Sequence, residues 1–162
     1  MAGQPFTVRP LVSEDSAVVA AFALAHWGGV TMVSAGTVHR LPELAGFVAE
    51  DAPRWLGLVT YQISAGQCEV VSLDSTLRRQ GVGSALLAAV EAHAQAAACH
   101  RVWLVTTNDN RNALRFYLHR GYRQIAVHRG AVDRARRLKP EIPLVGDGGI
   151  PIHDELELAK EL

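Results

Sequence analysis

Cysteine is nearly absent. The chain of 162 residues holds two, Cys68 and Cys99, and neither stands in a CxxC pair, so no disulfide framework is expected. An excess of one charge is missing too: 16 Lys and Arg balance 16 Asp and Glu, for a formal net charge of zero. Neutralising a phosphate backbone takes a basic surplus, so nucleic acid is not expected as the main partner, although a local anion site stays open. Long apolar runs are lacking. The most apolar helix candidate, residues 82–98, is broken by Glu91, His93 and Gln95, and is too polar to span a bilayer. No basic-then-apolar segment opens the chain, and no internal repeat or low-complexity linker interrupts it. These absences leave a cytoplasmic protein without a membrane partner as the expectation. The length suggests one domain over residues 1–162, enough to bury a real core. With 49% hydrophobic and 20% charged residues, the composition is that of an ordinary globular chain.

What is present is a sequence of alternating rhythms. FTVRPL (6–11) alternates as a strand does, and Ser13 is placed to cap a helix running to about Trp27. Residues 28–43 carry Gly, Ser, Thr and Pro without a clear period and read as loop, with at most a short turn or strand. LAGFVAE (44–50), WLGLVTYQIS (55–64) and CEVVSLDS (68–75) follow with short connections, which predicts an antiparallel meander. From Gly81 the period becomes helical, with Val82, Leu86, Val90 and Ala94 on one face. RVWLVTT (101–107) reads as a buried central strand. NDNRNALRFYLHRG reads as a second helix stopped by Gly121, and YRQIAVH (122–128) as a further strand. Strand, helix, strand, helix, strand implies an α/β layer with parallel pairing where the helices cross over. In the tail, AVDRARRLK predicts a short helix ended by Pro140, DGG a turn, and the alternation around Leu156 and Leu158 a half-buried last strand. Residues 129–139 are basic and 141–161 acidic. That split reads as solvated surface, with a homodimer contact as the alternative.

The stretch RRQGVGSALL, residues 78–87, concentrates charge and glycine at a helix start. A helix N-terminus carries unpaired N–H groups and the positive end of the dipole, and glycine lets a ligand approach the main chain. A pyrophosphate suits such a place without a large basic patch. Two common phosphate motifs do not fit: Gly83 is followed by Ser84-Ala85 rather than Lys-Ser/Thr, and the third glycine of a dinucleotide fingerprint is replaced by Leu86. What remains is Arg78-x-x-Gly81-x-Gly83 between a meander and a long helix. This resembles the acyl-CoA pyrophosphate loop of the GNAT superfamily of N-acetyltransferases. Downstream, Asn110-x-x-Ala113-x-x-x-Tyr117-x-x-x-Gly121-Tyr122 is similar to the second signature of that family. The order of elements matches as well, over residues 6–128 and again near 152–160.

The resemblance implies an α/β (α+β) fold with a mixed, mostly antiparallel central sheet, splayed strands and flanking helices. It implies acetyl-CoA as co-substrate and a primary amine as acceptor, attacked directly, with the two cysteines as plain buried thiols; a ping-pong route through cysteine stays open beside it. A domain that binds acyl-CoA without turning it over is the rival. By the same resemblance Arg78, Arg79, Gln80, Gly81, Val82, Gly83 and Ser84 wrap the pyrophosphate. The strand ending Ser72-Leu73-Asp74-Ser75 opens to the pantetheine arm, with Leu73 and Ser75 at its edge. Asn110 contacts that arm, caps its helix, or does both. Tyr117 is a general acid for the departing thiolate or a core aromatic beside Phe116; a phenol near its ordinary pKa of about 10 stays protonated at neutral pH. For the base, Glu69 is the carboxylate best placed by position. His39, His128, His153 or a held water stay open beside it. Residues 28–41 and the tail are left to select the acceptor, with Asp154 and Glu155 to draw an amine cation and Trp27 to stack on it.

Overall fold

The computed structural model describes residues 6–76 and 80–162. Strand β1 (Thr7–Pro10) leads through a 3-10 turn into helix α1 (Ser16–Trp27). Ser13 does not cap it. Its hydroxyl goes to Glu14, while the Asp15 carboxylate accepts the Val12 N–H at 2.8 Å. Arg9 holds the same carboxylate at 2.8 Å, and a fixed, ionised acceptor out-competes a hydroxyl.

Residues 28–43, expected mainly as loop, contain a hairpin of β2 (Thr31–Ser34) and β3 (Thr37–Arg40). Its turn residues, Ala35 and Gly36, have φ of 48° and 80°. A two-residue hairpin turn asks for positive φ at both positions and is usually announced by Asn-Gly or Asp-Gly; alanine in the first place hides it. The expected meander follows as β4 (Ala45–Asp51), β5 (Arg54–Ser64) and β6 (Gln67–Ser75), antiparallel throughout. Then come α2 (Val82–Ala96), β7 (Arg101–Thr107), α3 (Arg111–Leu118), β8 (Arg123–His128), α4 (Ala131–Leu138) and β9 (Glu155–Glu161).

The main sheet has seven strands in the order β1-β4-β5-β6-β7-β9-β8. Crossing over through α2 makes β6 and β7 parallel. The second crossover, through α3, does not pair β7 with β8, because β9 enters between them and runs antiparallel to both. The fold is thus the mixed, mostly antiparallel sheet with flanking helices that the resemblance implies.

Each face of the sheet carries its own core. Val82, Leu86, Val90 and Ala94, spaced by four along α2, are fully buried in one cluster with Val102, Leu104 and Leu158. Burying one such Val or Leu side chain contributes about 1.5–3 kcal/mol. On the opposite face α1 brings Val19, Phe22 and Ala23 against Leu58 and Val71. Trp27 packs into this second cluster, so it is a core aromatic and not a free stacking surface. Among the described residues no helix is long and apolar enough to cross a membrane.

Candidate active site

Strands β6 and β7 share only three parallel pairs, Gln67↔Arg101, Cys68↔Val102 and Glu69↔Trp103. Both strands continue, to Ser75 and Thr107, without meeting again. The cause is local. Tyr61 of β5 pairs with Val70, and Thr60 with Ser72, which leaves Val71 as the extra residue of a bulge. A bulge bends its strand and sharpens the twist, and here it turns the end of β6 away from β7. A buried bond of 2.6 Å between the Thr60 and Ser72 hydroxyls pins the bend. The result is a fork: among the described residues, β6 from Val70 to Asp74 and β7 from Leu104 on do not pair across it. Leu73 and Ser75 lie on its β6 side, in register with Val59 and Gly57 of β5.

Helix α2 starts at the mouth of the fork. Gly81 caps it with φ of 78°, and a Cβ added there would meet nothing within 4 Å. Glycine suits this left-handed position. The helix's own bonding begins with Ala85 N–H to Gly81 O at 3.0 Å, so the amides of Val82, Gly83 and Ser84 have no intrahelical acceptor. Gly83 has a different reason to be small: a Cβ there would lie 3.3 Å from the Phe116 ring. The glycine therefore makes room for α3 and not only for a ligand. The Ser84 hydroxyl is engaged by Arg120, which donates to it from Nε at 3.0 Å and again from Nη2. Arg120 also donates to the Phe116 carbonyl and lies 3.6 Å from the centre of its ring. Arg78 and Arg79 fall outside the described residues, and Gln80 stands at the loop's last turn. Asn110 caps α3, its side-chain oxygen accepting the Ala113 N–H at 3.1 Å.

Tyr117 is 7% exposed and packs in the same cluster as Val70 and Leu104, the first residues beyond the fork on each strand. Its ring stands edge-on to Phe116 and Tyr122. Burial pushes its phenol well above the ordinary value, against a weaker pull from Arg120.

The closed end of the fork opens on the other face of the sheet. Glu69 points there, toward the hairpin, and accepts the Ser34 hydroxyl at 2.7 Å. Burial raises its carboxyl above the usual value, the Ser34 bond and nearby His39 oppose the rise, and Glu157 adds to it. His39 is 6% exposed, and its Nε2 lies 3.9 Å from the Glu69 carboxylate without a hydrogen-bond partner.

Two chambers flank the hairpin tip. The smaller, about 360 Å³, holds Glu69 and His39; the larger, about 570 Å³, lies between the tip, β7, β9 and α4. Ala35, Gln67 and Trp103 line both. In the larger chamber Glu157 is held by His128 at 2.8 Å and Arg101 at 3.4 Å. Glu155 is 5% exposed; burial raises its carboxyl, opposed by the Ala35 N–H and by the charges of His128 and Arg134. The acidic half of the tail is thus not simple solvated surface, since two of its carboxylates turn inward.

Of the paired candidates Asp154 and Glu155, only Glu155 reaches a chamber. Asp154 accepts the Gly130 N–H at 2.9 Å, at the start of α4. His153 is exposed and bound to Asp133 at 2.9 Å, away from Glu69. Cys68 is sealed in the core, and burial, with lesser contributions from Cys99 and Glu69, pushes its thiol up to about 12. A covalent route through that sulfur would lack a thiolate at neutral pH.

The model of the acetyltransferase (GNAT) family matches residues 13–122. The chain belongs to the GNAT acetyltransferase family. It is 46% identical over 140 residues to the uncharacterized protein YdhI of Bacillus subtilis (strain 168), covering 86% of this chain and 88% of that protein. Among solved structures it is similar to an IAA acetyltransferase from Bacillus cereus ATCC 14579, with a TM-score of 0.75 at 16% identity over 97% of this chain and 99% of that one. A GNAT family acetyltransferase from Elizabethkingia anophelis with acetyl-CoA bound gives a TM-score of 0.69 at 15% identity over 98% and 99% of the two chains. The GNAT sheet brings together Leu73, Ser75, the start of α2, Asn110 and Tyr117 around one fork, with Glu69 at its closed end. Sequence reasoning missed Arg120, which lies 36 residues from Ser84 and carries no motif. It also missed Trp103. Read as a strand buried on both faces, β7 turns Val102 and Leu104 to the core while Arg101 and Trp103 line the chambers; the alternation was masked because tryptophan is apolar.

Proposed function

We propose that the chain, acting as one catalytic unit, moves an acetyl group from acetyl-CoA to a primary amine by direct attack. The observation that carries this reading is the fork, with a helix N-terminus at its mouth and a partly buried carboxylate at its closed end. Pantetheine amides need backbone partners, and the edge of β6 beside Leu73 offers them as a neighbouring strand would; next to it, the Ser75 N–H donates to the Asp74 carboxylate at 2.8 Å. The pyrophosphate takes the first-turn amides of Val82, Gly83 and Ser84, where the helix dipole favours an anion. Gly81 keeps the approach open, Gln80 precedes it, the sequence adds the cations of Arg78 and Arg79 just before, and Arg120 adds another from α3's end. Asn110 reaches the cofactor arm with its amide nitrogen, since its oxygen is spent on the cap.

Acetyl-CoA brings an activated thioester; the chain brings position and proton traffic. Glu69 takes a proton from the incoming ammonium, directly or through one water. The freed nitrogen forms the C–N bond, the C–S bond breaks, and the departing sulfur takes the proton of the Tyr117 hydroxyl. The nitrogen's surplus proton then restores the phenol. Burial that disfavours the phenolate keeps Tyr117 an acid at any working pH. Release of free thiol in the presence of a panel of amines tests the reading. Acetyl-CoA binding with no thiol release from any amine would overturn it and leave an acyl-CoA-binding domain.

A further inference from the structure

The smaller chamber beside Glu69 has an unusual lining for a covered sheet face. Gln62 and Glu69 are cross-strand partners on β5 and β6, as are Ser64 and Gln67, so four polar side chains share one face of the floor. Ser34, Thr37 and His39 come down from one face of the hairpin. Trp103, in register with Glu69, is the one large apolar surface. Some of these groups are engaged: Ser34 with Glu69, and Gln67 with Arg101 at 2.7 Å. Among the described residues the side chains of Thr37, Gln62 and Ser64 bond to nothing in the chain, and His39 Nε2 is buried with no partner. A buried nitrogen left unpaired is costly, so a native occupant that completes it is favoured.

From these observations, and resting on the transferase reading above, we infer that the acceptor is a polyhydroxylated primary amine of the amino-sugar class, bound in this chamber with its ring against Trp103. Neutral hydroxyl and amide side chains pair with hydroxyls at no cost in unbalanced charge. A hydroxyl also satisfies His39 Nε2 in either tautomer, because it both donates and accepts. The one carboxylate lining this chamber is Glu69, which leaves one ammonium to be placed, at the fork. A long polyamine would want a second carboxylate in the same chamber, whereas Glu155 and Glu157 lie beyond the hairpin tip. A purely apolar amine would leave the polar floor and roof unpaired. At about 360 Å³ the chamber is within the range of small-ligand sites.

Glucosamine and cyclohexylamine form the decisive pair, six-membered ring amines with and without hydroxyls. Spermidine and a short peptide with a free N-terminus serve as further arms. Binding is read by saturation-transfer NMR on the CoA-loaded protein, so it does not depend on turnover, and kcat/KM is read by thiol release. Glucosamine should bind and react better than the other three, by about tenfold or more over cyclohexylamine if two or more net hydrogen bonds form. His39→Phe should shrink that ratio by about threefold to tenfold. Gln62→Leu, at an exposed position, should shrink it too and serves if the buried substitution fails to fold. Equal binding of glucosamine and cyclohexylamine, or preference for spermidine or the peptide, overturns the inference. So does a ratio untouched by both substitutions. Glucosamine binding without thiol release keeps the chamber assignment and overturns the transfer reaction instead.

Discussion

The Glu69 carboxyl has three neighbours that decide its charge: a hydroxyl, an imidazole and a second carboxylate across the sheet. Burial outweighs the stabilising pair, so the folded protein holds this proton to a higher pH than the unfolded chain does. Below the ordinary carboxyl value both states are protonated and the shift is silent. Above it the folded state binds the extra proton, and stability declines as pH rises toward the raised folded value. Glu69→Gln keeps an acceptor for Ser34 and removes that decline, so its thermal midpoint at neutral pH should exceed the parent's in a calorimetric scan. Its kcat should fall by about 10²–10⁴, the usual worth of a positioned base. The acid limb of the pH–rate profile, which the raised carboxyl places above the ordinary carboxylate range, should flatten. Tyr117→Phe should also lower kcat by about 10²–10⁴, yet leave the shape of the profile alone, since burial keeps the phenol protonated across the working range. Its hydroxyl bonds to nothing among the described residues, so the same variant should melt close to the parent. Parental turnover would make Tyr117 a packing residue.

Between α2 and α3 the contact of Gly83 with Phe116 sets how closely the two helices approach. Gly83→Val places branched atoms against that ring, and overpacking of this kind costs about 1–3 kcal/mol. The expected outcome is a lower thermal midpoint together with weaker CoA binding, because α3 must shift; unchanged stability would show that Phe116 can rotate aside. Arg120→Met keeps much of the stack on Phe116 and removes the cation. CoA affinity in a titration should drop about tenfold or more, the worth of a charge-assisted bond, and should lose some of its salt dependence. At this scale the sequence was uneven in what it revealed. The periodicity of α2 and the meander were readable because each buries one face. The hairpin was not, because Ala35 occupies a position where asparagine would have marked the turn. Nor was the place of β9, since its insertion between β7 and β8 depends on partners far apart in the chain.

Three parallel pairs and the crossover through α2 join two leaves, β1-β4-β5-β6 and β7-β9-β8. A ligand that fills the fork and pairs with both edges should act as a clasp. CoA at a hundred times its dissociation constant should stabilise the fold by about 2.7 kcal/mol, and amides of residues 70–75 should show slower hydrogen exchange on its addition. Exchange unaffected at those amides would place the ligand elsewhere. The order of elements was legible from periodicity, and the two motifs around the fork from their resemblance to the GNAT signatures. The chambers were not, because they assemble side chains from the hairpin, β5, β6, β7, β9 and α4 that no local pattern connects. The fork is made of main chain, which every residue carries. Substitution along its strands can change side chains without erasing the groups that meet the donor, in keeping with a fold held at a TM-score of 0.75 while identity falls to 16%. The chambers are made of side chains and have no such immunity. Divergence among relatives should therefore preserve the donor and rewrite the acceptor, so that a shared fork is poor evidence of a shared substrate.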